Sequence, residues 1–269
     1  MDLEKFTFVD TMSEKIKLFL VQNLVLFELK FLFDSGLSFF DVWISDKLVD
    51  NFGLDVNSLE YIDLLLLEGT MKLINWESRR FVSSKKIPHG YDIVFGRNFM
   101  NFLFENNIVV GPYRVNVELE KQLELANNEK LVMIPFVSNG QHEMFFSTIS
   151  LTDNPTRKLS VLFDTGSISQ YDMMLCRDLA NELVKESVLV MSGKIIGFWR
   201  IDQHLEAEVG KIDHIYFVHN SVEYRIDDVV VNVEKENVDC GGIYYDLTIS
   251  CKLIERLFIK YGIIVCATK

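Results

Sequence analysis

An Asp-[Ser/Thr]-Gly triplet occurs twice in the chain, at residues 34–36 and 164–166, each time after a run of apolar residues. The glycine allows a tight turn in which a backbone N–H can meet the carboxylate. Two carboxylates about 3 Å apart cannot both ionise, so they share a proton and can hold a water molecule. One carboxylate then takes a proton from the water while the other protonates a peptide carbonyl oxygen. Asp34 and Asp164 therefore suit the hydrolysis of a peptide bond, provided that the fold brings them together.

The sequence around the two triplets is repeated, which indicates how the fold could achieve this. Residues 31–52 (FLFDSGLSFFDVWISDKLVDNF) match residues 161–183 (VLFDTGSISQYDMMLCRDLANEL) with one extra residue in the second copy. Residues 90–110 (GYDIVFGRNFMNFLFENNIVV) match residues 244–265 (YYDLTISCKLIERLFIKYGIIV) in the same order. Two ordered matches predict two homologous lobes, each with a strand, the triplet, a short helix, a variable middle, and a closing strand and helix.

These segments resemble the retroviral-type aspartic proteases, especially those of gypsy-type LTR retrotransposons. The first triplet and its helix look like that family's active-site strand and helix, and residues 91–110 are similar to its closing strand and helix. Family members are usually homodimers with one Asp per subunit, whereas this chain looks like two such subunits fused head to tail. The resemblance implies a mainly β, bilobal acid-protease fold whose two retropepsin-like lobes are related by a pseudo-two-fold axis. It also implies that the protein is a retrotransposon-derived, single-chain pseudo-dimer.

The resemblance also implies roles for individual residues. Asp34 and Asp164 would be the catalytic pair of an aspartic endopeptidase, with these residues in support: Ser35, Gly36, Thr165, Gly166 and Ser167. The segment 190–199 is interpreted as a hairpin with Gly193 near its tip, and it would be a flap over an extended substrate. The flap residues are Ser192, Gly193, Lys194, Ile195, Ile196 and Gly197. The first lobe offers only a shorter hairpin, at residues 61–76.

Two positions depart from the family pattern. Leu37 follows the first triplet, where the family usually has a small residue. Ser250 aligns with Gly96 and stands where a glycine is expected. A serine there is sterically more demanding where the backbone passes under the active-site loop. The alternative function is therefore a catalytically inactive retropepsin-like module that binds an extended peptide or a partner protein.

Length and patterning predict the domains: an N-terminal lobe at residues 1–111, a linker at 112–128 and a C-terminal lobe with a longer flap region at 129–269. Apolar residues form 49% of the 269 residues, enough for a substantial core. We expect a monomer whose two lobes pair within one chain. The alternative is that the lobes pair with those of another chain, which elution as a dimer would favour.

Charge and composition limit the partners. A net charge of −12 without a basic cluster disfavours nucleic-acid binding, and the apolar runs are too short and interrupted for membrane insertion. Four scattered cysteines, with no secretory signal, indicate reduced thiols and an intracellular, cytoplasmic protein. We expect no cofactor and no metal, and a peptide or protein as the substrate.

Overall fold

The computed structural model describes the parts of the chain on which the two triplets lie. These are residues 7–10, 17–22, 25–36, 42–54, 61–68, 70–77, 81–84, 87, 90–112, 132–135, 145–146, 149–151, 157, 159–167, 170–200, 203–235 and 245–266. Leu37 and nearly all of the predicted linker lie outside these residues.

Strands dominate the described residues, which confirms the prediction of a mainly β protein. The chain divides into two compact units, Met1–Lys130 with Cys266–Lys269, and Leu131–Val265. Each unit is described by itself below.

In the described residues of the first unit, the strands form three sheets. Strand β1 (Thr7–Asp10) pairs in parallel with β10 (Ile108–Gly111). A second sheet has the order β3-β2-β6-β7, and a third has the order β4-β9-β5-β8. The remaining elements are β2 (Lys17–Gln22), β3 (Val25–Leu29), β4 (Phe31–Phe33), β5 (Val42–Ser45), α1 (Asp46–Phe52), β6 (Tyr61–Glu68), β7 (Thr70–Glu77), β8 (Phe81–Ser84), β9 (Ile93–Phe95) and α2 (Arg97–Glu105).

The second unit is built on one eight-stranded sheet of order β12-β14-β19-β15-β18-β17-β13, with β16 paired to β17. Its strands are β12 (Phe145–Phe146), β13 (Ile149–Ser150), β14 (Ser160–Asp164), β15 (Met173–Leu175), β16 (Leu189–Arg200), β17 (Gln203–His219), β18 (Val222–Glu234) and β19 (Leu247–Ser250). Its helices are α3 (Arg177–Lys185) and α4 (Cys251–Tyr261). A separate pair joins β11 (Val132–Pro135) to β20 (Ile263–Cys266).

Strand β5 alternates buried and half-buried side chains, whereas β9 and β15 are buried on both faces, as strands covered on both sides require. In the first unit Phe33, Phe95 and Phe99 stack on one another, the last two with ring centroids 4.3 Å apart. In the second unit Phe163 and Phe217 meet edge to face, and Leu257 of α4 is fully buried. Burial of these aromatic faces stabilises the two sheets that carry the triplets.

The predicted flap is part of a hairpin, but the prediction that Gly193 lies near its tip is wrong. Strand β16 runs unbroken from Leu189 to Arg200 and pairs with β17 up to Arg200 opposite Gln203. Gly193 instead occupies an irregularity of the register between Met191 and Ile195. A glycine with φ of +72° permits a bulge as readily as a turn, so its presence alone does not locate the tip.

The shorter hairpin predicted for the first unit is confirmed. Strands β6 and β7 pair antiparallel along their whole length, from Tyr61 opposite Glu77 to Glu68 opposite Thr70. This hairpin belongs to the sheet β3-β2-β6-β7 and not to the sheet that carries the first triplet.

Candidate active-site half-sites

The two triplets occupy the same place in two sets of four strands that pair in the same order. In the first unit, β4 pairs in parallel with β9, which pairs antiparallel with β5, which pairs in parallel with β8. In the second unit, β14, β19, β15 and β18 pair in that order and in those senses. Each triplet begins at the carboxyl end of the first strand of its set, Asp34 directly after β4 and Asp164 as the last residue of β14.

A second aspartate fixes the start of each triplet strand in the same way. Asp92 accepts the N–H of Lys30 on Oδ2 at 2.9 Å, and its own N–H is donated to the Lys30 carbonyl. Asp246 accepts the N–H of Ser160 on Oδ2 at 2.6 Å and donates its N–H to the Ser160 carbonyl. The repeated hydrogen bonds hold the closing strand in register with the strand that leads to each triplet.

The start of the helix after each second strand also corresponds. The N–H of Ser45 is donated to the Asp92 carbonyl, and the N–H of Cys176 is donated to the Asp246 carbonyl, both at 2.9 Å. Ser45 and Cys176 are the N-cap residues of α1 and α3. The hydroxyl of Ser45 accepts the N–H of Leu48. The matched residues of the two sequence copies thus have the same structural positions.

In the first half-site the carboxylate of Asp34 lies over its own turn. Its Oδ1 accepts the N–H of Gly36 at 2.8 Å, and its N–H is donated to the Phe95 carbonyl at 2.9 Å. The side chain of Ser35 is buried. Arg97 is 5% exposed and donates from Nη2 to the Ser35 carbonyl at 2.7 Å. A buried guanidinium therefore fixes the backbone of the triplet from below.

In the second half-site the carboxylate of Asp164 accepts from the residue after the triplet. Its Oδ1 receives the N–H of Ser167 at 3.0 Å, and the side chain of Thr165 is buried. Ser250 is buried and pairs with Asp164 in the parallel register of β14 and β19. Its hydroxyl donates to the Tyr171 carbonyl at 2.6 Å. The serine that replaces the expected glycine is thus accommodated and bonded.

A buried ion pair closes the loop behind the second triplet. Asp172 is fully buried, and its Oδ2 lies 2.9 Å from Nη1 of Arg256 and 3.8 Å from Nζ of Lys252. The same oxygen accepts the N–H of Val230 at 2.8 Å. Lys252 also donates to the Gln170 carbonyl. These contacts tie the loop that follows the triplet to α4 and β18.

The predicted flap residues lie on β16, where the hairpin β16–β17 is irregular. The hydroxyl of Ser192 donates to the Val209 carbonyl at 2.8 Å and accepts the N–H of Lys194 at 3.2 Å. Ile195 is 53% exposed, opposite Glu208. Ile196 pairs with Ala207 and Gly197 with Glu206. The contacts described for these six residues lie within the hairpin, and their role as a flap stays a prediction.

Sequence reasoning missed the contributions of Arg97, Tyr171 and Arg256. Arg97 and Arg256 act on residues far away in the sequence, Ser35 and Asp172, whereas Tyr171 acts on the nearby Ser167. The repeat contained one signal that could have been used. Arg97 of the first copy aligns with Cys251 of the second, so an arginine at this position can support only the first triplet.

The structure gives two further findings on the site. Within the described ranges, no group of three or more His, Cys, Asp or Glu residues is placed to hold a metal ion. Burial raises the pKa of the Cys176 thiol, which therefore stays protonated and is a poor nucleophile. The polar groups of the half-sites are carboxylates, which accept hydrogen bonds, and hydroxyls, backbone N–H groups and the Arg97 guanidinium, which donate them.

Comparisons with known proteins add no assignment, because neither a protein-family model nor a curated protein sequence matches this chain. In the part of the chain that the structure describes, no helix has the length and apolarity needed to cross a membrane.

Proposed function

We propose that the protein is a single-chain aspartic endopeptidase in which Asp34 and Asp164 hold one water molecule between them. The observation that carries the proposal is the repeated half-site: two sets of four strands paired in the same order and senses, each with an Asp-[Ser/Thr]-Gly turn at the end of its first strand. A pseudo-two-fold arrangement of two such turns would place the carboxylates face to face, as in the proteases that the sequence resembles.

The chemistry follows from the sharing of one proton. Two carboxylates in contact retain a single negative charge, so one accepts a proton from the water and the other donates a proton to the carbonyl oxygen. The backbone N–H groups of Gly36 and Ser167 already lie on Oδ1 of the two carboxylates. These donors fix the orientation of the carboxylates before a substrate binds, so less reorganisation is needed during the reaction.

The hairpin β16–β17 would cover an extended peptide and exclude water. Helix α3 holds the hairpin in place. Its Arg177 pairs with the Glu208 carboxylate of β17 at 3.1 Å and donates to the Glu234 carbonyl at the end of β18. The exposed side chain of Ile195 is available for an apolar contact with a substrate.

The test is cleavage of a diverse peptide library between pH 4 and 7 by the wild type, Asp34→Asn, Asp164→Asn and the double variant. We expect each single substitution to lower kcat by about a thousandfold or more, and the double variant to be no worse than either, because the two residues act as a unit. Asp213→Asn is the matched control, since Asp213 is exposed on β17. All variants are first shown to be folded by circular dichroism.

Failure has a defined meaning. A folded wild type that cuts nothing, yet binds a peptide with a hydroxyl group in place of the scissile carbonyl, would indicate a binding module and overturn the proposal. Loss of cutting in only one of the two Asp variants would also overturn it, because a shared dyad needs both carboxylates.

A further inference from the structure

The turn that carries Asp164 is connected to a neighbouring loop through side-chain hydroxyls. The N–H of Ser167 is donated to Asp164 Oδ1 at 3.0 Å, and the Ser167 hydroxyl lies 3.1 Å from the Tyr171 hydroxyl. Tyr171 is 7% exposed, and its carbonyl accepts the Ser250 hydroxyl at 2.6 Å. The Ser167 carbonyl accepts the N–H of Cys251 at 3.3 Å. Ser167 is thereby held from both its side chain and its backbone.

The first unit supports its turn differently. The residue aligned with Ser250 is Gly96, which has no hydroxyl, and the residue aligned with Cys251 is Arg97. Arg97 bonds the Ser35 carbonyl directly. One turn is therefore held by a buried cation, and the other by a neutral chain of hydroxyls. The two half-sites share a topology without sharing their supports.

We infer that Tyr171 is a positioning residue for Asp164 and acts through Ser167. The inference rests on the proposed function, because it assigns Tyr171 a part in the same reaction. The Tyr171 hydroxyl restricts the side chain of Ser167, and the Ser167 N–H in turn restricts the carboxylate. A carboxylate that moves by an ångström loses its alignment with the water, so removal of the Tyr171 hydroxyl slows the chemical step without weakening substrate binding.

The test is a double-mutant cycle with Tyr171→Phe, Ser167→Ala and the double variant, assayed by peptide cleavage. We expect Tyr171→Phe to lower kcat on the order of tenfold, as the loss of one buried hydrogen bond allows, with KM unchanged within about twofold. In the Ser167→Ala background, Tyr171→Phe should have almost no further effect, because its partner is already absent. An effect of Tyr171→Phe that persists undiminished in that background, or one confined to KM, would overturn the inference.

Tyr261→Phe is the matched control. Tyr261, at the carboxyl end of α4, also has a hydroxyl in a hydrogen bond, which it donates to the Arg225 carbonyl. This substitution removes the same atom and should leave kcat unchanged. An equal loss in kcat for Tyr261→Phe would show that the change at Tyr171 acts through general loosening of the unit, which contradicts a positioning role.

A second measurement does not depend on turnover. Amide hydrogen exchange of Ser167, followed by NMR, should be about three to ten times faster in Tyr171→Phe and unchanged in Tyr261→Phe. If the wild type cleaves no peptide but this exchange pattern holds, the proposed function fails while the link from Tyr171 to Ser167 stands. Unchanged exchange in Tyr171→Phe would overturn the link itself, whatever the activity.

Discussion

At the scale of single residues, the hydroxyl of Ser250 is a support of the second half-site. Ser250 is buried, and it donates to a carbonyl of the loop that follows Asp164. The expectation that a serine here is sterically demanding considered only its volume, and the structure shows that the hydroxyl fills a hydrogen-bonding position. A polar group in a buried site is stable when it has a partner.

We therefore predict that Ser250→Ala destabilises the protein by about 1–2 kcal/mol, because the buried Tyr171 carbonyl loses a donor. Urea unfolding monitored by fluorescence measures the change. Thr248→Val on the same strand is the control and should change the free energy of unfolding by less than about 0.5 kcal/mol. A stability of Ser250→Ala equal to that of the wild type would show that the hydroxyl contributes nothing.

The residues that could be identified from the sequence are those whose types recur in both copies. Asp34 and Asp164, with their hydroxyl and glycine neighbours, stand out because the triplet occurs twice in one order. Arg97 and Arg256 each occur in one copy alone and act on distant residues, Ser35 and Asp172. Such contacts depend on which strands are neighbours, and a single sequence contains no local signal for them.

At the scale of elements, the hairpin β16–β17 shows that the residue pattern predicts strands but does not locate the turn between them. Alternation of apolar and polar residues predicts strands, and the strands form. The position of the turn could not be predicted, because Gly193 suits a bulge as well as a tip. The strand continues past it, and Ser192 stabilises the irregularity through the Val209 carbonyl.

The conformation of Gly193 in the bulge allows a prediction about substitutions there. Its φ is +72°, and a Cβ there would meet no heavy atom within 4 Å, so only backbone strain opposes a side chain. Gly193→Asn should be tolerated, because Asn adopts this conformation more readily, whereas Gly193→Val should cost about 1–3 kcal/mol locally. We expect kcat/KM to fall more in Gly193→Val than in Gly193→Asn. Equal kinetics in the two variants would contradict a role for this backbone conformation in the hairpin.

At the scale of the whole molecule, one strand order is repeated while the surroundings have diverged. In the second unit the repeated strands are part of an eight-stranded sheet, whereas in the first unit the four repeated strands form a sheet of their own. The sequence predicted that both units share one succession of elements along the chain, because the apolar strands and the triplets recur together. It could not predict how the remaining strands distribute among sheets, since strand pairing outside the repeat has no counterpart to compare.

The proposal that both aspartates of one site come from one chain makes a distinct prediction. Asp34→Asn and Asp164→Asn, purified separately and then mixed, should show no more peptide cleavage than either alone, because each chain has lost one member of its own pair. If sites instead formed between two chains, random exchange would restore roughly a quarter of the wild-type activity. Specific activity of the wild type should also stay constant over a hundredfold dilution (on the order of 10 nM to 1 μM), since no association is required. Recovery on mixing, or loss on dilution, would show that the site is assembled from two molecules and that the fused repeat does not pair with itself.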